Sequence, residues 1–319
     1  MSAPTRTPSP YALAAFLLAS VIGGANFLAV RLSNRELEPF WGASLRFGLA
    51  AALFLAAALA LRLPRPRGRE FGLTVLYGAL GFAVSYALMY WALVRVTAGV
   101  AVVVFAVVPL ATLILASAQG LEQLRLRGIA GAFLALAGIA SFTVSPGEVE
   151  LPLPALLAML GATLSAAQAM IIGKRLADNH PVMTNAIAMT VGAVLLLACS
   201  AAAGESWVLP QENAARWAVG YLALPGSAGL FVLILFVSRH WTASASSYMT
   251  VLFPVVTIAL GAWIVDEPIT TAALVGAGLV IVGVWIGALS PAARRPQLLR
   301  PADTERAVTQ PNDVAKSES

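Results

Sequence analysis

The chain has 319 residues, 59% hydrophobic and 11% charged, where a soluble domain carries roughly a quarter of charged residues. That balance excludes an ordinary water-soluble core and makes lipid the expected solvent. The formal charge of +5 does not point to nucleic acid, because the basic residues fall in loops and tails and not on a helix face with interleaved aromatics.

A bilayer span needs about 20 mostly apolar residues, and it must be helical because hydrocarbon offers its backbone no partner. Such stretches occur at 11–30, 38–61, 71–93, 98–117, 127–144, 153–172, 182–203, 215–238, 244–264 and 270–289. The alternating ten-residue segments of a barrel are missing. The expectation is an all-α membrane protein of ten transmembrane helices. Arg6 precedes the first stretch, which is long enough to be retained as a helix and not cleaved as a signal peptide. Residues 1–10 read as a short cytoplasmic N-terminus. Residues 290–319, with Arg294, Arg295, Arg300 and Arg306, read as a disordered cytoplasmic tail.

Lys and Arg divide unevenly between the two sides of this ten-span arrangement. One side collects Arg6, the Arg62, Arg65, Arg67 and Arg69 cluster, Arg125, Arg127, Lys174, Arg175, Arg239 and the tail cations; the other collects only Arg31, Arg35, Arg95 and Arg216. The richer side is expected to be cytoplasmic, with both termini on it. The single cysteine, Cys199, excludes an internal disulfide and reads as a core-packing residue.

A repeat organises the chain. Residues 98–140 laid over 243–285 match Ala98, Pro109, Thr112, Leu115, Glu122, Gly131, Ala132, Leu134 and Gly138 to Ala243, Pro254, Thr257, Leu260, Glu267, Gly276, Ala277, Leu279 and Gly283. The same shift of 145 matches Gly81 to Gly226. Two repeats, 11–145 and 153–289, each hold five helices, and an odd number turns the second copy upside down. Inverted repeats are a transporter architecture with the substrate near mid-membrane.

The order and spacing of these residues resemble the drug/metabolite transporter superfamily, in its EamA-like branch with two EamA domains. The resemblance covers about residues 11–289. It rests on Gly23-Gly24-Ala25-Asn26-Phe27, on Arg46, and on Ala98 through Pro109 to Leu121-Glu122 followed by Gly131 and Gly138. Its second copy runs from Ala243 through Pro254 to Asp266-Glu267-Pro268, Gly276 and Gly283. Leu121 and Asp266 stand where the family usually has glycine, a departure confined to helix junctions. The resemblance implies movement of amino acids, related metabolites or amphipathic compounds across an inner membrane.

Arg46 is the one charged residue well inside a span. Its burial in lipid costs at least ~2.5 kcal/mol on insertion scales, so it must face a cavity, pair, or snorkel. It is either a contact for a substrate carboxylate or a structural cation bonded to backbone carbonyls. Asn26, Tyr86, Tyr90, Trp91, Ser165, Gln168, Tyr221, Ser247, Tyr248 and Thr250 are candidate path residues, with Tyr86 and Tyr90 on one helix face. Trp91, Trp217 and Trp241 also suit interfacial anchoring. Pro109 and Pro254 are kink or gate candidates. Glu122 and Glu267 fit helix junctions, where negative charge meets a helix N-terminus.

The spans hold no Asp or Glu, which disfavours proton coupling through a buried carboxylate and favours facilitated movement. His180 and His240, at helix ends without a carboxylate cluster, give no basis for an enzyme, a metal site or a cofactor. The expected partners are a small-molecule substrate and the bilayer, without nucleic acid. Gly283 and Gly287 have the spacing for close helix approach, in the bundle or at a homodimer contact. The leading reading is metabolite transport by alternating access, with export of amphipathic compounds second and a multi-span membrane enzyme a distant third.

Overall fold

A computed structural model of the chain describes residues 10–121, 126, 129–131, 133–134, 137–138, 152–176, 178–240, 249–266 and 268–286. Glu122, Glu267, Trp241, Ser247, Tyr248, Gly287, most of the fifth predicted span and the tail from 290 onward lie outside the described residues.

The described residues form helices and no strand: α1 (Pro10–Ser33), α2 (Pro39–Ala60), α3 (Gly68–Leu93), α4 (Ala98–Ala118), α5 (Leu153–Arg175), α6 (Pro181–Ala203), α7 (Asn213–His240), α8 (Met249–Ile264) and α9 (Thr271–Val284). The first seven are long and apolar enough to cross a bilayer. The protein is a multi-span all-α membrane protein. Its helices begin where sequence chemistry favours a start. Pro39 and Pro181 open α2 and α6, where a missing N–H costs nothing. Thr97 and Thr270 accept Val100 N and Ala273 N at the starts of α4 and α9. Gly204, at φ 70°, ends α6 in the left-handed region.

Three of these helices are irregular. Residues Ala79–Val84 of α3 and Leu224–Gly229 of α7 are π-helical, and the two segments stand 145 residues apart, the shift of the sequence repeat. Helix α4 breaks after Phe105 and resumes at Val108, with Pro109 in the first turn of the resumed helix. Pro254, its counterpart, lies inside the uninterrupted α8. The equivalent prolines therefore have unlike local structures.

Packing repeats with the halves exchanged. α1 lies against α7 and α8, as α5 lies against α3 and α4, and α2 lies along α6. Along that last contact, Glu205 beyond the end of α6 meets the start of α2, Ser44 Oγ donates to Ala193 O, and Leu55 shares a groove with Met183. The second helices of the two halves are thus antiparallel, which is the inversion expected from five helices per repeat.

Glycine allows the closest approaches. A Cβ on Gly78 would run into the Ala188 backbone, and one on Gly192 would run into Phe82. Both glycines let α3 sit directly on α6. Cys199 corrects the sequence expectation: it is exposed and not packed in the core, because it lies on the face of α6 that carries exposed Val194, Leu195 and Ala198, while Met189, Gly192, Leu196 and Ser200 are the buried side.

Gly78→Val should therefore destabilise the protein by about 1–3 kcal/mol through overpacking. Gly48→Ala, whose added methyl meets nothing within 4 Å, should gain about 0.5–1 kcal/mol. Denaturant unfolding in micelles would check both; equal effects of the two variants would contradict the close α3–α6 packing.

Candidate functional site: a buried cation beside an apolar cavity

Arg46 is completely buried, at 0% exposure. A charge taken out of water must find charge-assisted hydrogen bonds or it will not remain a charge. Its partners come from the π segment of α7. Nε donates to Ser227 Oγ at 2.7 Å and Nη2 donates to Gly226 O at 2.7 Å. A π turn shifts the hydrogen-bond ladder, so a carbonyl in it is free to accept elsewhere. The Gly226 carbonyl also accepts from Asn26 Nδ2 of α1 at 3.0 Å, using the second lone pair. One bulge thus ties α1, α2 and α7 together.

The rings of Phe47 and Tyr86 flank the guanidinium, with Cζ 4.9 Å and 5.0 Å from their centroids. Such contacts add to the stability of a desolvated cation. Nη1 of Arg46, Oδ1 of Asn26 and the hydroxyl of Tyr90 are buried without a hydrogen-bond partner. Gly226 must be glycine here, because a Cβ would collide with Asn26 Oδ1.

The π segment of α3 is satisfied differently. Ser165 Oγ of α5 donates to Leu80 O at 2.8 Å. Equivalent bulges thus receive a neutral hydroxyl in one half and a guanidinium with an amide in the other.

An apolar cavity of about 100 Å³ adjoins the site. Its walls run from Phe105, Val108 and Phe253 at mid-span, past Tyr86, Gly81 and Phe231, to Lys174 and Ser238 at the ends of α5 and α7. Tyr86 stands between cavity and cation. Lys174 Nζ donates to Ser238 O at 2.9 Å at the basic end.

At the opposite ends of the helices, two carboxylates hold the halves together. Glu205, after α6, accepts from Phe40 N at 3.1 Å and Trp41 N at 2.7 Å, the exposed donors of the α2 N-terminus. Glu36, before α2, accepts from Gln211 N at 2.8 Å and Glu212 N at 2.9 Å, ahead of α7. Each loop supplies the anion that the other half's helix start favours. Trp41 stacks on Trp207 with centroids 5.8 Å apart, and its Nε1 donates to Val208 O.

Of the path residues named from sequence, Tyr86 and Thr250 line the cavity. Arg46, Asn26 and Tyr90 sit behind Tyr86, whose ring centroid is 6.4 Å from that of Tyr90. Ser165 serves the α3 bulge. Gln168 is away from the cavity and accepts from Gln119 Nε2 at 2.8 Å. Tyr221 donates to Ile22 O at 2.8 Å. Trp217 is exposed, as an interfacial anchor would be, whereas Trp91 is half-buried with the Arg95 guanidinium 3.6 Å over its ring. Sequence reasoning missed Gly226 and Ser227 as the partners of Arg46, and Glu36 and Glu205 as the clasp. The Gly81–Gly226 match was the one available signal for the bulges.

An all-α membrane protein of two inverted halves around an apolar cavity falls in the class of membrane carriers. The chain belongs to the EamA-like transporter family, whose description matches residues 10–144 and 153–288. An "Uncharacterized inner membrane transporter YedA" of Escherichia coli is 29% identical over 83% of this chain and 86% of its own length. A "Probable terminal-alkyne amino-acid exporter" of Streptantibioticus cattleyicolor is 27% identical over 85% and 91%. A solved crystal structure shares the fold, with a TM-score of 0.65, 19% identity, and coverage of 88% of this chain and 96% of that one.

Ser227→Ala removes an acceptor from a buried charged donor and should cost about 1.5–3 kcal/mol. Arg46→Lys should cost a similar amount, because an ammonium cannot reproduce the guanidinium fork. Unfolding midpoints in micelles check this, and an unchanged midpoint for Ser227→Ala would contradict the Arg46–Ser227 bond.

Proposed function

We propose that the protein moves a small carboxylate-bearing metabolite, an amino acid or a relative of one, out of the cytoplasm by alternating access. The observation that carries this reading is the contrast between the two ends of the bundle. The basic end has a cavity reaching to mid-span, whereas the Glu36–Glu205 clasp closes the other. The excess of Lys and Arg on the cavity side supports a cytoplasmic position for it, and with it an inward-facing reading of the described conformation.

The Nη1 of Arg46, which has no hydrogen bond of good geometry and only the neutral Tyr86 and Tyr90 hydroxyls beside it, supports a carboxylate-bearing substrate, since a buried cation is better satisfied by an anionic acceptor. In this mechanism Tyr86 rotates aside to join the cavity to the cation. The name of the Streptantibioticus relative agrees with an amino-acid substrate. Among the described residues, Glu70 is the only acidic side chain within a helix, and it lies exposed in the first turn of α3. A facilitative cycle without a buried proton carrier follows. The inner membrane is the compartment, as in the Escherichia coli relative's name.

A second reading, export of amphipathic compounds, is favoured by the cavity wall itself, which is almost wholly apolar and aromatic. Counterflow in proteoliposomes separates the two. Exchange of a labelled amino acid that Arg46→Gln abolishes supports the first; exchange of amphipathic amines indifferent to Arg46→Gln supports the second.

The clasp gives the test of mechanism. In a Cys199→Ser background, Glu36→Cys with Gln211→Cys should form a disulfide that stops exchange, and reduction should restore it. Unchanged exchange with the disulfide formed would rule out alternating access through that face.

A further inference from the structure

Half of the cations of the described residues, Arg46 among them, have hydrogen-bond partners. Arg31 donates to Leu93 O and Val96 O, Arg95 to Trp91 O, Lys174 to Ser238 O, Arg216 to Pro210 O and Arg239 to Asn179 O. Arg35, Arg62, Arg65, Arg67, Arg69 and Arg175 have none among the described residues, and of these Arg62 and Arg65 line one groove. That groove is cut between the end of α2 and the first half of α6. Leu55 and Leu59 form one wall, Ile187 and Val191 the other, and the space amounts to about 640 Å³.

Arg62 stands in a position that favours glycine. It ends α2 at φ 48°, in the left-handed region that L side chains rarely enter. Leu63 N returns to Ala58 O there at 3.0 Å, closing the helix in the manner of a C-terminal cap. A guanidinium occupies the rim of the groove where a hydrogen would relieve the backbone.

We infer that this groove is a binding site for an anionic diacyl phospholipid of the leaflet on the basic side, its phosphate between Arg62 and Arg65 and one acyl chain along the α2–α6 groove. The charge pattern selects this occupant. A lipid-facing apolar trough crowned by two unpartnered guanidiniums matches a molecule with an anionic head and a hydrocarbon tail, and basic pockets between helices near the cytoplasmic face are suited to such head groups. A soluble anion would leave the trough empty, and a zwitterionic lipid would bring a second cation to the arginines. The site is separate from the cavity beside Arg46 and does not depend on what that cavity carries.

Native mass spectrometry of the purified protein tests this with palmitoyl-oleoyl phosphatidylglycerol against the phosphatidylcholine of identical chains. At roughly five-fold for each arginine near a membrane surface, the preference for the anionic lipid should be on the order of 25-fold. Arg62→Gly with Arg65→Ala should abolish it, and glycine at 62 keeps the backbone geometry, so the fold is not at risk. Arg67→Ala with Arg69→Ala should leave it intact, because those residues do not line the groove. Thr190→Trp, which fills the trough, should weaken binding of both lipids. Equal binding of the two lipids by the unaltered protein, or equal losses from both arginine pairs, would overturn the site. So would a Thr190→Trp protein that binds as before.

Discussion

A guanidinium in the middle of a lipid-embedded bundle needs acceptors, and a regular helix has none to give, since its carbonyls are engaged in their own ladder. The π segment of α7 and Arg46 of α2 each resolve the other's deficit. The Gly226 carbonyl in the bulge accepts from both Arg46 and Asn26, and the buried arginine would be costly without it. Asn26 completes the arrangement from α1. Two helices of the first half are therefore fixed to the second half at one carbonyl, where apolar packing alone would permit sliding. Association between helices in lipid gains little from hydrophobicity, so a few polar bonds of this kind weigh more than they would in a soluble core.

The two halves share this device in outline and differ in its chemistry. Both third helices carry a π segment at the same place in the repeat, yet the bulge of α3 takes a serine hydroxyl while that of α7 takes a cation and an amide. The broken α4 and the continuous α8 differ in the same way around equivalent prolines. A perfectly symmetric pair of repeats would have the same cavity on both sides of the membrane. The asymmetry of these contacts leaves the described conformation with a cavity toward the basic end and a clasp at the opposite end.

Much of the scaffold was legible because its causes are local or periodic. Span length, the proline and glycine punctuation, and the recurrence of Pro, Glu and Gly at a fixed shift all follow from covalent chemistry and from the need to pair the backbone in lipid. The site was less legible because its partners are about 180 residues apart and one of them is a main-chain carbonyl, which leaves no mark on sequence. Arg46 was visible as an anomaly, but Gly226 and Ser227 were not visible as its answer. The clasp was hidden for a related reason: Glu36 and Glu205 look like ordinary loop acids until folding sets each beside the other half's helix start. Cys199 was misread because an apolar run in a membrane helix has no polar face from which to tell inside from outside.

The position of the bulge also constrains how the outer face could open in the proposed cycle. Glu205 holds the start of α2 and Glu36 holds the approach to α7, so separating the halves at that face requires α2 and α7 to part. Their shared tie at Arg46 and Gly226 resists a rigid-body separation, since two charge-assisted bonds in a low-dielectric interior would have to break together. A bend is less costly. The π segment is the place where the α7 ladder is already interrupted, and Asn213–Ala223 beyond it is a separate stretch of about three turns of regular helix, about 16 Å long at 1.5 Å per residue. That outer piece can swing from the clasp while the inner piece stays bonded to Arg46. The same argument applied to α3 places its pivot at Ala79–Val84, held by Ser165 through a single neutral bond, so the inner face should open at lower cost than the outer one. The described conformation, with its cavity toward the basic end, agrees with this difference.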